Sequence, residues 1–157
     1  MGRRIARRGP DASAVWQEAA NGVAFAHARL AIIDLTPTGA QPMSCPNGRY
    51  TICFNGEIYN YRELRHQLEK EGFAFAWRGT SDTEVILALV SRHGVVGALK
   101  RMEGMFAFAL WDHAERTMTI ARDRIGEKPL LYSLVQNRLS FASDMTAVEE
   151  GLDGSLP

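Results

Sequence analysis

Phe54-Asn55-Gly56-Glu57-Ile58-Tyr59-Asn60-Tyr61 is the stretch on which the reading of this chain turns. The apolar run leading into it, Tyr50-Thr51-Ile52-Cys53-Phe54, has the β-branched and aromatic content of a buried strand. The residues after it, Arg62 to Leu68, space Leu64 and Leu68 as one face of an amphipathic helix. An amide, a glycine and a carboxylate therefore stand in succession between a strand and a helix. Gly56 lets a backbone N–H come close to a bound group. An Asn side chain beside a free N–H is a pair of donors suited to an oxyanion. Taken alone, Asn-Gly-Glu is better read as an ordinary turn with a solvated Glu57. The rest of the chain decides between the two.

Upstream, Met1 to Arg8 reads as the end of a helix broken by Gly9-Pro10-Asp11. Val23 to Ile33 reads as a strand, Thr36 to Pro42 as a loop, and Pro46-Asn47-Gly48 as a tight turn into the strand at Tyr50. Downstream, Asn60 three residues before Glu63 predicts a capping box for a helix through Glu71, closed by Gly72. Ser81-Asp82-Thr83-Glu84 repeats that signature ahead of the apolar run Val85 to Val90. Gly94 is expected to end this second helix, with a short third over Val95 to Met102. Strands are then predicted at Met105 to Trp111, Thr117 to Arg122, Leu130 to Leu134 and Leu139 to Ala142, before a last helix from Met145. Residues 1–150 read as one domain and residues 151–157 as a linker-like tail.

The chain has 157 residues, 46% hydrophobic and 23% charged with a formal net charge of +0, enough for one domain with its own core. Balanced charge gives no reason to expect a nucleic-acid partner. No apolar run has membrane-spanning length, and arginines stand where a signal peptide would be hydrophobic. Cys45 and Cys53 lack metal-site spacing and suit a reducing compartment, so a cytoplasmic protein is expected. Helices grouped between sets of closely spaced antiparallel strands argue for a layered α+β fold rather than βαβ alternation.

Seven stretches in order carry a resemblance. They are Arg8-Gly9-Pro10-Asp11, Arg29 to Asp34, Gln41-Pro42-Met43, Phe54 to Tyr61, Ser81 to Ile86, Gly104 to Ala109 and Ala121 to Leu130. Together they resemble the class II glutamine amidotransferase domain of glutamine-hydrolysing asparagine synthetases, from Arg8 to about Ser143. The resemblance implies an N-terminal-nucleophile-hydrolase-like fold, a four-layer αββα sandwich of two antiparallel sheets. It implies L-glutamine as substrate and ammonia as product. No cofactor belongs to such a domain; ATP and Mg belong to a following synthetase domain, which would amidate aspartate or a related carboxylate. Members are often dimeric, so a homodimer is a further expectation.

Site roles follow from the same resemblance. Arg29 would pair the substrate α-carboxylate through its planar fork. Asp82, with Glu57 and beside Ser81, would take the α-ammonium. Asn55 and the Gly56 N–H would form the oxyanion hole, and backbone groups around Leu30, Ile32 and Ile33 would complete the pocket. Outside this set, Arg29 would be read as one half of a buried ion pair and Asp82 as a helix cap.

The family's nucleophile is an N-terminal cysteine whose free α-amine handles the proton. This chain begins Met1-Gly2, and Arg7 stands where a histidine is usual. Cys45 lies in a loop and Cys53 within an apolar strand, so neither is assigned the role. The expectation is a domain shortened at its N-terminus and inactive as it stands, with a non-catalytic glutamine-binding or structural module as the alternative.

Overall fold

The computed structural model describes residues 2–152, with the side chains of Arg3, Arg8 and Leu152 excepted. Among the described residues, three antiparallel sheets and the helices packed on them, the first being α1 (Gly2–Ile5), make an α+β fold. Strands β1 (Ala12–Glu18) and β2 (Val23–Arg29) pair from Ala12↔Arg29 to Glu18↔Val23. Strands β3 (Met43–Ser44), β4 (Tyr50–Ile58), β5 (Gly104–Asp112) and β6 (Thr117–Arg122) form the four-stranded sheet in that order. Strands β7 (Leu131–Val135) and β8 (Arg138–Ala142) form a hairpin.

Period-2 alternation splits the four-stranded sheet into two buried faces. Ile52, Phe54 and Ile58 of β4 and Phe106, Phe108 and Leu110 of β5 point one way. They meet Leu64 and Leu68 of α2 (Tyr61–Lys70) and the run Val85 to Val90 of α3 (Asp82–Arg101). Ala109 and Trp111 point the other way, where Phe25 of β2 closes a second core with Trp16, Cys53, Met118 and Phe141 around it. Helices thus cover one face, and the two smaller sheets cover the other. The sequence pattern, apolar almost without interruption, follows from this double coverage.

Several sequence expectations meet a different outcome. The strand begun at Val23 stops at Arg29, four residues early. Past Arg29 the pairing strand has turned away at Gly9-Pro10-Asp11, and the Ala31 N–H donates instead to the Asp11 carboxylate at 2.8 Å. Strand β1 lay in a stretch given no element, since Ala12 to Glu18 alternates weakly and its outer positions are exposed. Asn60 does not cap α2: its side chain donates to the Arg101 carbonyl and accepts from the Glu103 N–H, pinning the entry to β5. The break expected at Gly94 is present as a kink with φ 70° and ψ 170°, and helix continues beyond it to Arg101. Gly151 and Leu152 belong to the last helix, α4 (Met145–Leu152), rather than to a tail; residues 153–157 lie outside the described residues. No described helix is long and apolar enough to cross a membrane.

The last motif is held by one carboxylate. Asp123, almost fully buried, accepts backbone N–H bonds from Phe106, Ile125, Gly126, Glu127 and Lys128. Burial works to raise its pKa, but these donors outweigh it and hold the group well below the usual carboxylate range.

Candidate active site

A cavity of about 630 Å³ opens between β2, β4, β5 and β8, within the ~300–1,000 Å³ span of small-molecule sites. Arg29, Leu30, Ile32, Ile33, Asn55, Gly56, Glu57, Ser81 and Asp82 all line it. The residues singled out from the sequence are therefore brought together, although they come from a strand end, a loop, a second strand and a helix start.

One edge of β4 decides the geometry. Strand β3 pairs with β4 only at Thr51 and Ile52, so the edge beyond is free of a neighbouring strand. Phe54 points its N–H to that edge, where the Gln41 Oε1 accepts it at 2.6 Å, and its carbonyl accepts from His27 Nε2 at 3.1 Å. Ile58 points its N–H the same way, to Asp82 Oδ2 at 3.0 Å. By strand parity the Gly56 N–H lies on this edge midway between them, facing the cavity. Two neighbours are held by side-chain acceptors, and among the described residues no side-chain acceptor meets the N–H between them.

Gly56 can only be glycine here. Its φ is 154°, and a Cβ would collide with the Met105 carbonyl and stand 2.7 Å from the Phe106 Cα. Gly104 makes the reciprocal close approach to the Glu57 carbonyl. Asn55 beside it is exposed at the cavity mouth.

Arg29 ends β2. Its Nη1 donates to the Thr36 carbonyl at 3.0 Å and its Nη2 to the Asp34 carbonyl. Among the described residues no carboxylate pairs with it, so the buried-ion-pair reading fails and its charge stays available to an anion. Leu30 and Ile32 are 57% and 64% exposed where this segment borders the cavity.

Asp82 opens α3 and is 5% exposed. Ser81, not Asp82, is the cap: its hydroxyl accepts the Glu84 N–H at 3.2 Å. Glu84 turns back to the Arg78 and Gly79 N–H groups, holding the loop before the helix. Burial raises the Asp82 pKa to about 6; bonds from Ile58 and Thr83 oppose this, and the nearby Glu57 charge adds to it. A buried carboxylate next to a second one is an unfavourable arrangement that an incoming cation relieves.

Three residues outside the expected set also shape the site. Gln41 bridges Phe54 to the Thr83 hydroxyl, 3.3 Å from its Nε2, linking β4 to the start of α3. His27 must donate from Nε2 to reach the Phe54 carbonyl, and its Nδ1 is buried with no hydrogen-bond partner among the described residues. Burial lowers its pKa against the pull of that carbonyl, and the Arg29 charge lowers it further. Asp34 is buried and accepts from Thr36, Thr38 and Thr80. Burial alone would raise its pKa, but these bonds keep it well below the usual range. Gln41 and Asp34 stood in quoted motifs; nothing in local sequence says which distant N–H each would reach.

Neither thiol offers a nucleophile. Cys45 is buried and donates to Asn47 Oδ1 at 2.8 Å, while burial pushes the Cys53 thiol up to about 12.

The sequence is similar to known proteins over nearly its whole length. The family model described as a glutamine amidotransferase domain matches residues 1–155. Asparagine synthetase [glutamine-hydrolyzing] 1 of Bacillus subtilis (strain 168) is 42% identical over 92% of this chain and 22% of its own length. A putative asparagine synthetase [glutamine-hydrolyzing] of Mycobacterium bovis is 43% identical over 87% of the chain and 22% of its own. Amidase chry2 of Gibberella zeae is 40% identical over 90% and 20%. The chain spans about a fifth of the length of these curated relatives. A chain whose Arg29, Gly56 and Asp82 line one cavity thus belongs to the glutamine amidotransferase domain family.

Proposed function

We propose that this chain binds L-glutamine in the β2–β4–β8 cavity and forms the glutamine-handling part of an ammonia-supplying enzyme. The observation that carries the reading is the Gly56 N–H, left open between the Gln41-held Phe54 and the Asp82-held Ile58. Arg29 takes the α-carboxylate, and Asp82 and Glu57 take the α-ammonium. The side-chain amide oxygen lies against the Gly56 N–H and Asn55 Nδ2. Both donors would strengthen as negative charge grew on that oxygen under attack by a nucleophile that neither Cys45 nor Cys53 supplies, each worth ~3 kcal/mol of barrier.

In the larger protein, ammonia released here feeds ATP- and Mg-dependent amidation of aspartate or a related carboxylate in a synthetase domain; no cofactor is needed at the glutamine site itself. The names of the relatives support this reading. The two small sheets, β1–β2 and β7–β8, are two parts of one layer over the four-stranded sheet, giving an αββα stack; their common packing against Ala109 and Trp111 supports it. A cytoplasmic setting and a homodimer complete the proposal.

A second reading, glutamine binding without hydrolysis, is favoured by the state of the two thiols. Isothermal titration with L-glutamine, together with ammonia release, tests both. Binding that Arg29→Ala abolishes is expected, with no ammonia from this chain. Absence of binding by the unsubstituted chain overturns the glutamine reading, and ammonia release overturns the non-hydrolytic one.

A further inference from the structure

Two loops that touch each other border the cavity. The loop 34–39 carries the carbonyls that hold Arg29, and the loop 78–81 leads directly to Asp82. They are distant in sequence, and neither is part of a sheet. Asp34 joins them. Its Oδ1 accepts from the Thr36 N–H at 2.9 Å and the Thr36 hydroxyl at 2.6 Å. Its Oδ2 accepts from the Thr38 hydroxyl at 2.9 Å and, across to the other loop, from the Thr80 N–H at 3.0 Å.

The contact is close because two glycines permit it. A Cβ on Gly79 would lie 2.5 Å from Asp34 Oδ2 and would strike the Thr38 hydroxyl. A Cβ on Gly39 would lie 2.5 Å from Arg29 Nη2 and 3.1 Å from the Asp34 Cβ. Each Asp34 oxygen faces a backbone N–H, that of Thr36 at Oδ1 and that of Thr80 at Oδ2, so each must act as an acceptor. An amide in its place would turn one oxygen into a donor facing donors, and the clamp would open.

We propose that Asp34 is a positioning residue that sets the separation between Arg29 and Asp82, and so selects ligands carrying both a carboxylate and an ammonium. This rests on the glutamine reading above. Asp34 touches no ligand itself; it works through the Arg29-holding carbonyls on one side and through Thr80, two residues before Asp82, on the other. A ligand engaging one end only is indifferent to the spacing, because either loop can follow it.

The test is calorimetric titration with L-glutamine and with 4-carbamoylbutanoate, which is glutamine without its α-amino group. In Asp34→Asn the glutamine affinity is expected to fall at least about tenfold. The 4-carbamoylbutanoate affinity changes much less, so the preference for the α-amine shrinks. Thr38→Ser, which keeps the hydroxyl, retains the preference, and Thr38→Val loses part of it. Asp112→Asn is the control: this buried carboxylate also binds backbone N–H groups and Arg49, but at the other end of the sheet. It should leave both affinities alone. Equal loss for both ligands in Asp34→Asn, or loss for neither, overturns the inference while leaving the glutamine reading intact. A chain that takes up neither ligand overturns the glutamine reading, and the inference falls with it.

Discussion

Asp82 and Ile58 meet through a 3.0 Å bond from the Ile58 backbone N–H to Asp82 Oδ2. That single contact joins the first residue of α3 to the last residue of β4, and with it the two parts of the cavity proposed to hold the α-ammonium and the oxyanion. It also leaves the carboxylate buried and only partly compensated, which gives the site a pH dependence of predictable sign.

Glutamine affinity should weaken as pH falls through about 6, because protonated Asp82 no longer attracts an ammonium. The limiting slope is about tenfold per pH unit. Stability runs the other way. A raised folded pKa contributes stability below the unfolded value of 3.8 that is lost as pH rises through about 6, on the order of 3 kcal/mol. Titrations between pH 5 and 7.5 check the first statement, and an affinity flat across that range refutes it.

Asp34 and Asp123 have the opposite linkage. Their depressed pKa values contribute stability above the unfolded value of 3.8, which disappears as pH falls toward their folded values. Circular dichroism should show structure lost on acidification below about pH 4. In Asp123→Asn the acid dependence should be shallower and the protein less stable at pH 7, since an amide cannot accept five backbone N–H bonds. An acid profile as steep as that of the unsubstituted chain would refute the assignment.

Gly56→Ala should unfold the β4–β5 pair locally or prevent folding. The new methyl meets backbone on the facing strand, which cannot move aside as a side-chain tip would. A loss above about 3 kcal/mol in urea denaturation is expected, at the upper end for single substitutions. A variant within 1 kcal/mol of the parent, by the scale usual for exposed positions, would show that β5 gives way instead.

Gln41→Ala removes both the acceptor for Phe54 and the bridge to Thr83. It should cost about 1–3 kcal/mol through the unsatisfied Phe54 N–H. It should also weaken glutamine binding by loosening β4 against α3. Equilibrium denaturation and titration on the same preparation separate the two effects.

Cys53 should resist iodoacetamide at pH 8 in the folded chain and react once denatured, because its thiol stays protonated to about pH 12. Mass spectrometry after timed labelling gives the answer. Rapid labelling of folded protein would reopen Cys53 as a nucleophile.

The sequence alone determined most of the elements and named residues that the fold brings to one cavity. Apolar alternation in β4 and β5, the Ser81 cap and the glycine breaks at Gly72 and Gly94 are local signals, and a strand or a cap needs only its near neighbours to form. It also placed Asn55, Gly56 and Glu57 between a strand and a helix, although that triplet alone reads as an ordinary turn and only the six other motifs single it out. What it could not determine was partnership across distance. Asn60 reads as a cap and instead holds Arg101 and Glu103; Arg29, expected to face a substrate carboxylate, also binds two carbonyls that no local signal announces. Which N–H the Asp34, Gln41 and Asp82 side chains would reach depends on how loops pack at the edge of the four-stranded sheet. Only the tertiary fold decides that, because each buried donor takes the nearest acceptor the packing supplies. The open Gly56 N–H is the product of both: strand parity aims it at the free edge, and packing leaves it there between two neighbours already bound.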